Sequence, residues 1–496
     1  MTTDVTRGSR TEIKLLLEKS KAGKEGVFLP KRKFPELNFS RLVGEKLQRE
    51  IPPRLPEVTE PELVRHFINL SKRNFSVDTH FYPLGSCTMK YNPKIHEEIA
   101  ELAGFAWLHP LQPGRQVQGM LQIFYELQEA LGQLTGMDAF SLQPAAGAHG
   151  ELAGMMITRA YHESRGEGER HIVLVPDSSH GTNPASAAQY GYQVVQIPSD
   201  PRGRVDLKML AATLDKRVAC LMLTNPNTLG LFENDILKIR DLVHGKGALL
   251  YYDGANLNAL LGTVRPGDMG FDIVHLNLHK TFTTPHGGGG PGAGPLGVVS
   301  ALAPFLPVPI VRRTGELYGL DFDRPQSIGA IRSFYGSAGI LIRATVYIRM
   351  LGLEGLKRVS RDAVLAANYL RKKLSPAYPN PHDEFCMHEF VLSAAHLEKQ
   401  NIHAGDIGKR LLDYGFHAPT VHFPLVVKEA LMIEPTETES KETLDAFADA
   451  MLRILKEAEE RPELVRNAPY TMPVGRPDEV QAARKPVLSF RDLEHE

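Results

Sequence analysis

Cysteine is scarce in this chain. The three residues, Cys87, Cys220 and Cys386, are far apart and form no CxxC pair. That argues against a disulfide framework or a cysteine-built metal site, so no metal is expected and a reducing, cytoplasmic location is. Net charge is also nearly absent, at -1, so no global field draws the chain to nucleic acid or to an anionic membrane. No apolar run is long enough to span a bilayer. The opening stretch, MTTDVTRGSRTEIK, lacks an apolar h-region and does not read as a secretory signal. Internal repeats and low-complexity segments are missing too.

What is present is an ordinary globular composition over 496 residues, too long for one core, so two domains with extensions are expected. Residues 1–95 carry proline and charge (LPKRKFPEL, IPPRLPEVTEPEL) and read as an N-terminal arm that wraps a neighbour or a partner chain. Residues 96–335 read as a large domain, 336–470 as a smaller C-terminal α+β domain, and 471–496 as an extended tail.

Within the large domain short apolar runs alternate with amphipathic stretches: HIVLVP at 171, YQVVQIP at 192, VACLMLT at 218, ALLYYD at 248 and DIVHLN at 272. Few charges and many β-branched residues are the mark of strands buried on both faces. Leu207, Leu210, Ala211 and Leu214 recur at helical spacing after Asp206. Strands alternating with helices predict an α/β fold with a mainly parallel sheet, whose ligands sit beyond the strands' carboxyl ends. After residue 336 the spacing predicts a long helix, strands in FCMHEFVLS and ALMIEP, a helix ended by Gly415, and a last helix with Leu444, Phe447, Ala448, Met451, Leu452 and Leu455 on one face.

Five polar turns carry the chemistry. The densest is HLNLHKTFTTPHGGGGPGAGP, where a buried strand ends in Asn277, Leu278, His279 and Lys280 before a glycine-rich loop. A lysine at a strand's carboxyl end is placed to act as a nucleophilic amine; the competing reading is a surface loop lysine. The glycine run is not a Walker loop, because no Gly-Lys-Ser/Thr follows it. Asp253, 27 residues before Lys280, ends an apolar strand and is followed by Gly254 and Ala255. One crossover and one strand fit in that interval, so both side chains can share a rim. A carboxylate there can face a ring nitrogen, or it can simply cap a helix. Ala146-Gly147-Ala148 opens a helix and offers backbone N–H groups to an anion such as a phosphate. His180 sits in the polar turn PDSSHGTNPASA, and Asn225 and Thr228 sit in LTNPNTLG. Such a grouping after successive strands is far rarer than any single turn.

The order of these turns resembles fold-type I pyridoxal-phosphate (PLP) enzymes, the aspartate-aminotransferase-like fold. Five strings resemble the glycine cleavage system P-protein family, the decarboxylating glycine dehydrogenases: FYPLGSCTMKYNP, QPAAGAHGE, PDSSHGTNPASA, NLHKTFTTPHGGGGPGAGP and LMIEPTE. The resemblance covers nearly the whole chain but only the lysine-bearing half of the fused enzymes. It therefore implies a second subunit, paired with a homologous subunit 1 that lacks the lysine as a heterodimer and then a heterotetramer.

By that resemblance Lys280 holds PLP as a Schiff base, Asp253 keeps the ring nitrogen protonated, and Ala255 lies behind the ring. His180 stacks on the ring and is placed to move a proton. Ala146, Gly147 and Ala148 bind the phosphate, Asn225 approaches the ring hydroxyl, and Asn277 and His279 are nearby ligands. Fused members carry serine and glutamine in the phosphate turn, where this chain has Ala146 and His149, which leaves backbone contacts there. Ser86, Cys87 and Thr88 are expected to line the substrate pocket. The implied reaction is decarboxylation of glycine with transfer of the aminomethyl group to the lipoyl group of H-protein. The alternatives are another fold-type I amino-acid decarboxylase or aminotransferase, and a non-catalytic scaffold subunit.

Overall fold

The apolar runs become strands because they have no face to give to water. Every residue of β2 (Ile172–Pro176), β4 (Val218–Leu223), β5 (Leu249–Gly254) and β6 (Ile273–Leu276) is buried. Together with β1 (Ala139–Ser141), β3 (Gln193–Ile197) and β7 (Leu296–Val298) they form a seven-stranded sheet in the order β1-β7-β6-β5-β4-β2-β3. The computed structural model describes residues 13–28, 30–31, 33–35, 37–51, 53–287 and 292–490; Gly288, Gly289, Gly290 and Pro291 of the glycine run lie outside the described residues.

Strands β3, β2, β4, β5 and β6 pair in parallel, which brings their carboxyl ends to one rim. Strand β7 runs against β6, with Leu296 opposite His275, so the chain re-enters the sheet at that same rim. Strand β1 runs against β7 and therefore also ends there. This puts the turn after β1 beside the turns after β5 and β6. Strands β1 and β7 have three residues each, too few for a periodic signal, and the sequence reading does not contain them. The reading also gives each of its five strands a site turn. The structure instead puts β3 at the sheet's edge, where only Ile197 of its five residues is buried and no site residue follows.

The helix Gln118–Thr135 covers one face of the sheet. Met120, Leu121, Phe124, Leu127 and Leu131 form its buried stripe, and Gly136, at φ 75°, ends it in the left-handed region. The helix Gly147–Ser164 covers the other face, where Ala153, Met155 and Ile157 join a second apolar cluster with Val173, Val175 and Tyr251. A smaller antiparallel sheet holds β8 (Phe390–Ser393), β9 (Thr420–Val421) and β10 (Ala430–Ile433), with β10 in the middle. Its core includes Phe390, Leu392, Leu431 and Ile433, with Phe447 and Met451 from the helix Lys441–Glu460. The long helical run Ala338–Leu374 is broken at Gly352, at φ 58°. Residues up to Val364 pack in the larger core and those from Ala366 in the smaller, so this run serves both cores.

By contacts the chain forms two units, Val77–Ala468 and the segments before and after it. Residues 77–95, grouped with the arm from sequence, thus belong to the larger unit. Phe81 enters the small core, and Gly85 donates its N–H to the Met432 carbonyl at 3.3 Å. In the smaller unit the helix Glu60–Ser71 begins at Thr59, whose hydroxyl and N–H both donate to Glu62. Val27, Phe28, Phe34, Leu37, Leu47 and Ile51 of that unit are exposed.

Candidate active site

The rim gathers its groups for local reasons. Ala146 precedes the helix Gly147–Ser164 with an extended backbone and no side chain able to cap it, so the first-turn N–H groups have no side-chain acceptor. Such a helix start is a seat for an anion. Gly147 is required there sterically: a Cβ would lie 2.4 Å from Asn277 Oδ1. Gly147→Ala is expected to displace Asn277 and to lower stability by ~1–3 kcal/mol, the scale of overpacking. Thermal unfolding checks the stability, and equilibrium titration with PLP is expected to show weaker binding.

Asp253 and His275 are register partners on β5 and β6. His275 Nε2 lies 3.2 Å from Asp253 Oδ1, within ion-pair reach although not aligned for a hydrogen bond. Tyr251 Oη lies 2.8 Å from His275 Nδ1. Burial holds His275 below its usual pKa, and a carboxylate can only accept, so the proton of the neutral ring belongs on Nε2 and the tyrosine donates to Nδ1. Burial by itself pushes Asp253 upward. His275, the Ala255 N–H at 3.0 Å, Lys280 and His180 outweigh it and hold the carboxyl below its ordinary value. Asp253 is therefore a buried, ionised carboxylate.

Four residues beyond Gly147, one helical turn, Glu151 accepts from Thr182 Oγ1 and Ser186 Oγ, each at 2.8 Å. Burial first, and Asp253 second, push its carboxyl up to about 7. Lys280, half-buried after β6, donates from Nζ to the Ser86 carbonyl at 2.7 Å. His180 stands exposed at the mouth, its Nδ1 2.8 Å from Thr182 Oγ1 and its ring 5.8 Å from that of Phe423.

These groups share a cavity of about 120 Å³ lined by Lys280, Asp253, Ala255, His180, Asn277, Gly147, Ala148 and Ser86, with Glu151, Thr228, Asn256, His388 and Glu389. Other residues named from sequence are placed elsewhere. Asn225 is fully buried and turned away; its Oδ1 accepts from the Glu233 N–H at 2.9 Å and its Nδ2 faces Met269 Sδ. His279 packs its ring 5.2 Å from that of His286, and burial holds it down to about 3. Thr88 and Cys87 do not line the cavity: Thr88 Oγ1 donates to Glu434 at 2.6 Å, and burial pushes the Cys87 thiol up, away from reactive thiolate. Ala146 holds the position just before the helix and does not line the cavity.

Glu151, His275, His388 and Glu389 were not read from the sequence. His275 is the single ionisable residue inside the otherwise apolar run IVHL, and Glu151 shares the helix face of Gly147; both signals are local. His388 and Glu389 arrive from the smaller lobe, the part of the larger unit built on the smaller sheet and its core, and carry none.

Among solved structures the fold is similar to a glycine decarboxylase (P-protein) of the glycine cleavage system in inhibitor-bound form. The TM-score is 0.71 at 23% identity, over 84% of this chain and 94% of that one. It is also similar to a Lactobacillus brevis glutamate decarboxylase, with a TM-score of 0.64 at 12% identity, over 84% and 97%. The fold is the fold-type I, aspartate-aminotransferase-like α/β fold. Residues 36–319 match the family described as glycine cleavage system P-protein, and residues 359–468 the glycine dehydrogenase C-terminal domain. The chain is 58% identical over 476 residues (96% of this chain, 98% of the relative) to a probable glycine dehydrogenase (decarboxylating) subunit 2 of Caldanaerobacter subterraneus. It is 56% identical over 477 residues to the protein of that name in Listeria monocytogenes, covering 96% and 98%. The chain belongs to the glycine cleavage system P-protein family.

Proposed function

We propose that this chain is the PLP-bearing subunit of a decarboxylating glycine dehydrogenase, which decarboxylates glycine and transfers the aminomethyl group to the lipoyl group of H-protein. The observation that carries the reading is convergence: Lys280 from β6, Asp253 from β5 and the uncapped helix start at Gly147 open into one cavity. The donor set fits PLP. The helix start suits a phosphate, an ionised buried carboxylate suits a protonated ring nitrogen, and an amine suits an aldehyde. Asn277 Oδ1 is buried without a partner beside them.

When bound, PLP supplies the electron sink for the carbon that loses its carboxylate. The chain's residues do the positioning. Lys280 is the amine that tethers the cofactor and gives way to substrate. Asp253 holds a proton on the ring nitrogen by charge. His180 and Ala255, both lining the cavity, would hold the ring between them. The test is the visible spectrum before and after borohydride, with peptide mapping of the reduced lysine, followed by glycine–bicarbonate exchange with lipoylated H-protein. An unlabelled Lys280, or exchange with another amino acid in preference to glycine, refutes the reading.

The proposal includes a homologous subunit 1, with a heterodimer that pairs again into a heterotetramer. The exposed apolar residues of the smaller unit support it, because an obligate interface of this kind buries well over ~2,000 Å². The isolated chain is expected to be a poor enzyme and to gain activity when the partner subunit is added. Size-exclusion mass and exchange assays on each component and on the co-expressed pair check this; full activity from this chain alone as a homodimer rules the partner out. No helix among the described residues is long and apolar enough to cross a membrane. With three free cysteines, the reading places the enzyme in the cytoplasm.

A further inference from the structure

Ser86 and Thr88 both hold positive φ, 63° and 48°. Residues with a Cβ keep that conformation only where their surroundings over-determine it. Here the surroundings are two carboxyl groups from the smaller lobe. Glu389 Oε2 accepts from the Ser86 N–H at 2.7 Å. Glu434 accepts from the Thr88 N–H at 2.9 Å and from Thr88 Oγ1 at 2.6 Å, and Asn256 Nδ2 donates to the same carboxylate at 3.1 Å. Gly85 has no room for a Cβ, which would meet the Met432 carbonyl oxygen at 2.7 Å. The 85–88 backbone is thus clasped to the strand ends of the smaller lobe. On its other side the Ser86 carbonyl accepts from Lys280 Nζ at 2.7 Å.

His388 lies against the two glutamates, buried with neither ring nitrogen hydrogen-bonded and its Nε2 3.8 Å from Glu389 and 4.0 Å from Glu434. A cation cage does not follow from that proximity. Both oxygens of Glu434 and one of Glu389 are already committed to holding backbone and side-chain donors of the clasp.

We propose that Glu389 is a positioning residue for Lys280, acting through the backbone of one residue: by holding the Ser86 N–H it fixes the strained backbone whose next carbonyl, that of Ser86 itself, seats the Lys280 amine whenever that amine is not bonded to cofactor. A free lysine side chain samples many rotamers. The seat confines this one to the cavity wall, ready to capture the aldehyde and to be displaced again by substrate. The smaller lobe thereby contributes to the reactivity of a lysine borne by the larger one. The inference rests on the reading of Lys280 as the cofactor-bearing amine.

The test is the time course of PLP attachment to the full chain, quenched with borohydride and mapped by peptide, for wild type, E389A and E389Q. Loss of the clasp in E389A is expected to slow attachment at Lys280 roughly tenfold, the scale of one lost hydrogen bond to a buried group. E389Q keeps an oxygen for the Ser86 N–H and is expected to attach PLP within about twofold of wild type, a rescue that tracks the hydrogen bond. If E389A does not fold, E389D, whose carboxyl is drawn one methylene back from the Ser86 N–H, takes its place, with an expected slowing of about threefold. Wild-type attachment rates in a folded E389A or E389D overturn the seat, as does an E389Q as slow as E389A. Reduction that tags a lysine other than Lys280 in wild type instead overturns the reading of the site, so the two failures are separate.

Discussion

Lys280→Ala is expected to lose covalent attachment of PLP and to lower glycine–bicarbonate exchange by roughly ten-thousand-fold or more, the scale on which removal of a covalent nucleophile acts. The residue follows β6 directly, and its Nζ is the lining amine of the cavity that also holds Asp253. No neighbour can replace it: the other basic side chains lining the cavity, His180 and His388, are imidazoles and form no stable imine. The fold should tolerate the change. Truncation removes one hydrogen bond, to the Ser86 carbonyl, and the site is half-buried, so the stability loss should stay near ~1 kcal/mol. Borohydride labelling, exchange assays and thermal unfolding together make the check. Exchange at the wild-type rate would falsify the assignment of Lys280; loss of activity together with gross unfolding would assign the residue a structural role instead.

Asp253→Asn is expected to retain PLP and lose ~2–4 kcal/mol of transition-state stabilisation, the magnitude of one preorganised electrostatic group. The substitution preserves shape, and its Oδ1 can still accept the Ala255 N–H that Asp253 accepts at 3.0 Å. Only the charge goes. The carboxylate is buried and held ionised against its burial by His275 and its other neighbours, so it faces the cavity with little screening. An amide cannot keep a ring nitrogen protonated through charge. A second readout follows from Glu151, whose carboxyl is pushed up to about 7 by burial and then by Asp253. With Asp253 neutralised, Glu151 should ionise at lower pH. Infrared titration of the buried carboxyl band measures that shift, and kcat for exchange measures the electrostatic loss. Unchanged kinetics with an unchanged Glu151 titration would leave Asp253 as a local cap and no more.

The parts of the fold legible from sequence were those with a strong local signal. The runs at 172, 218, 249 and 273 are too apolar to be anything but buried strands, and Asp206 accepts from the Lys208 and Met209 N–H groups at the start of the helix Leu207–Thr213. Lys280, Asp253 and Gly147 were found because each sits where a strand or turn stops, and Thr228 follows β4 for the same reason. Asn225 shows the limit of that argument. A residue in the correct turn still has to point somewhere, and its amide caps the Glu233 backbone instead of reaching the cavity. His279 turns toward His286 for the same kind of reason, set by packing one residue before Lys280.

Taken alone, then, the sequence determined the alternation of strand and helix, the rim at which polar turns collect, and the aspartate and lysine that come at and just beyond the ends of two of its strands. Those features depend on residue type and short spacing, which are local. Tertiary structure decided the rest. The antiparallel return of β7 and the three-residue β1 bring the Gly147 helix start beside Lys280, and no periodicity announces strands so short. Register alone sets His275 opposite Asp253. Glu389 and Glu434 reach the 86–88 backbone from more than 300 positions away in the chain. Contacts of that separation follow from the docking of one lobe against another, and a linear reading contains nothing that fixes it.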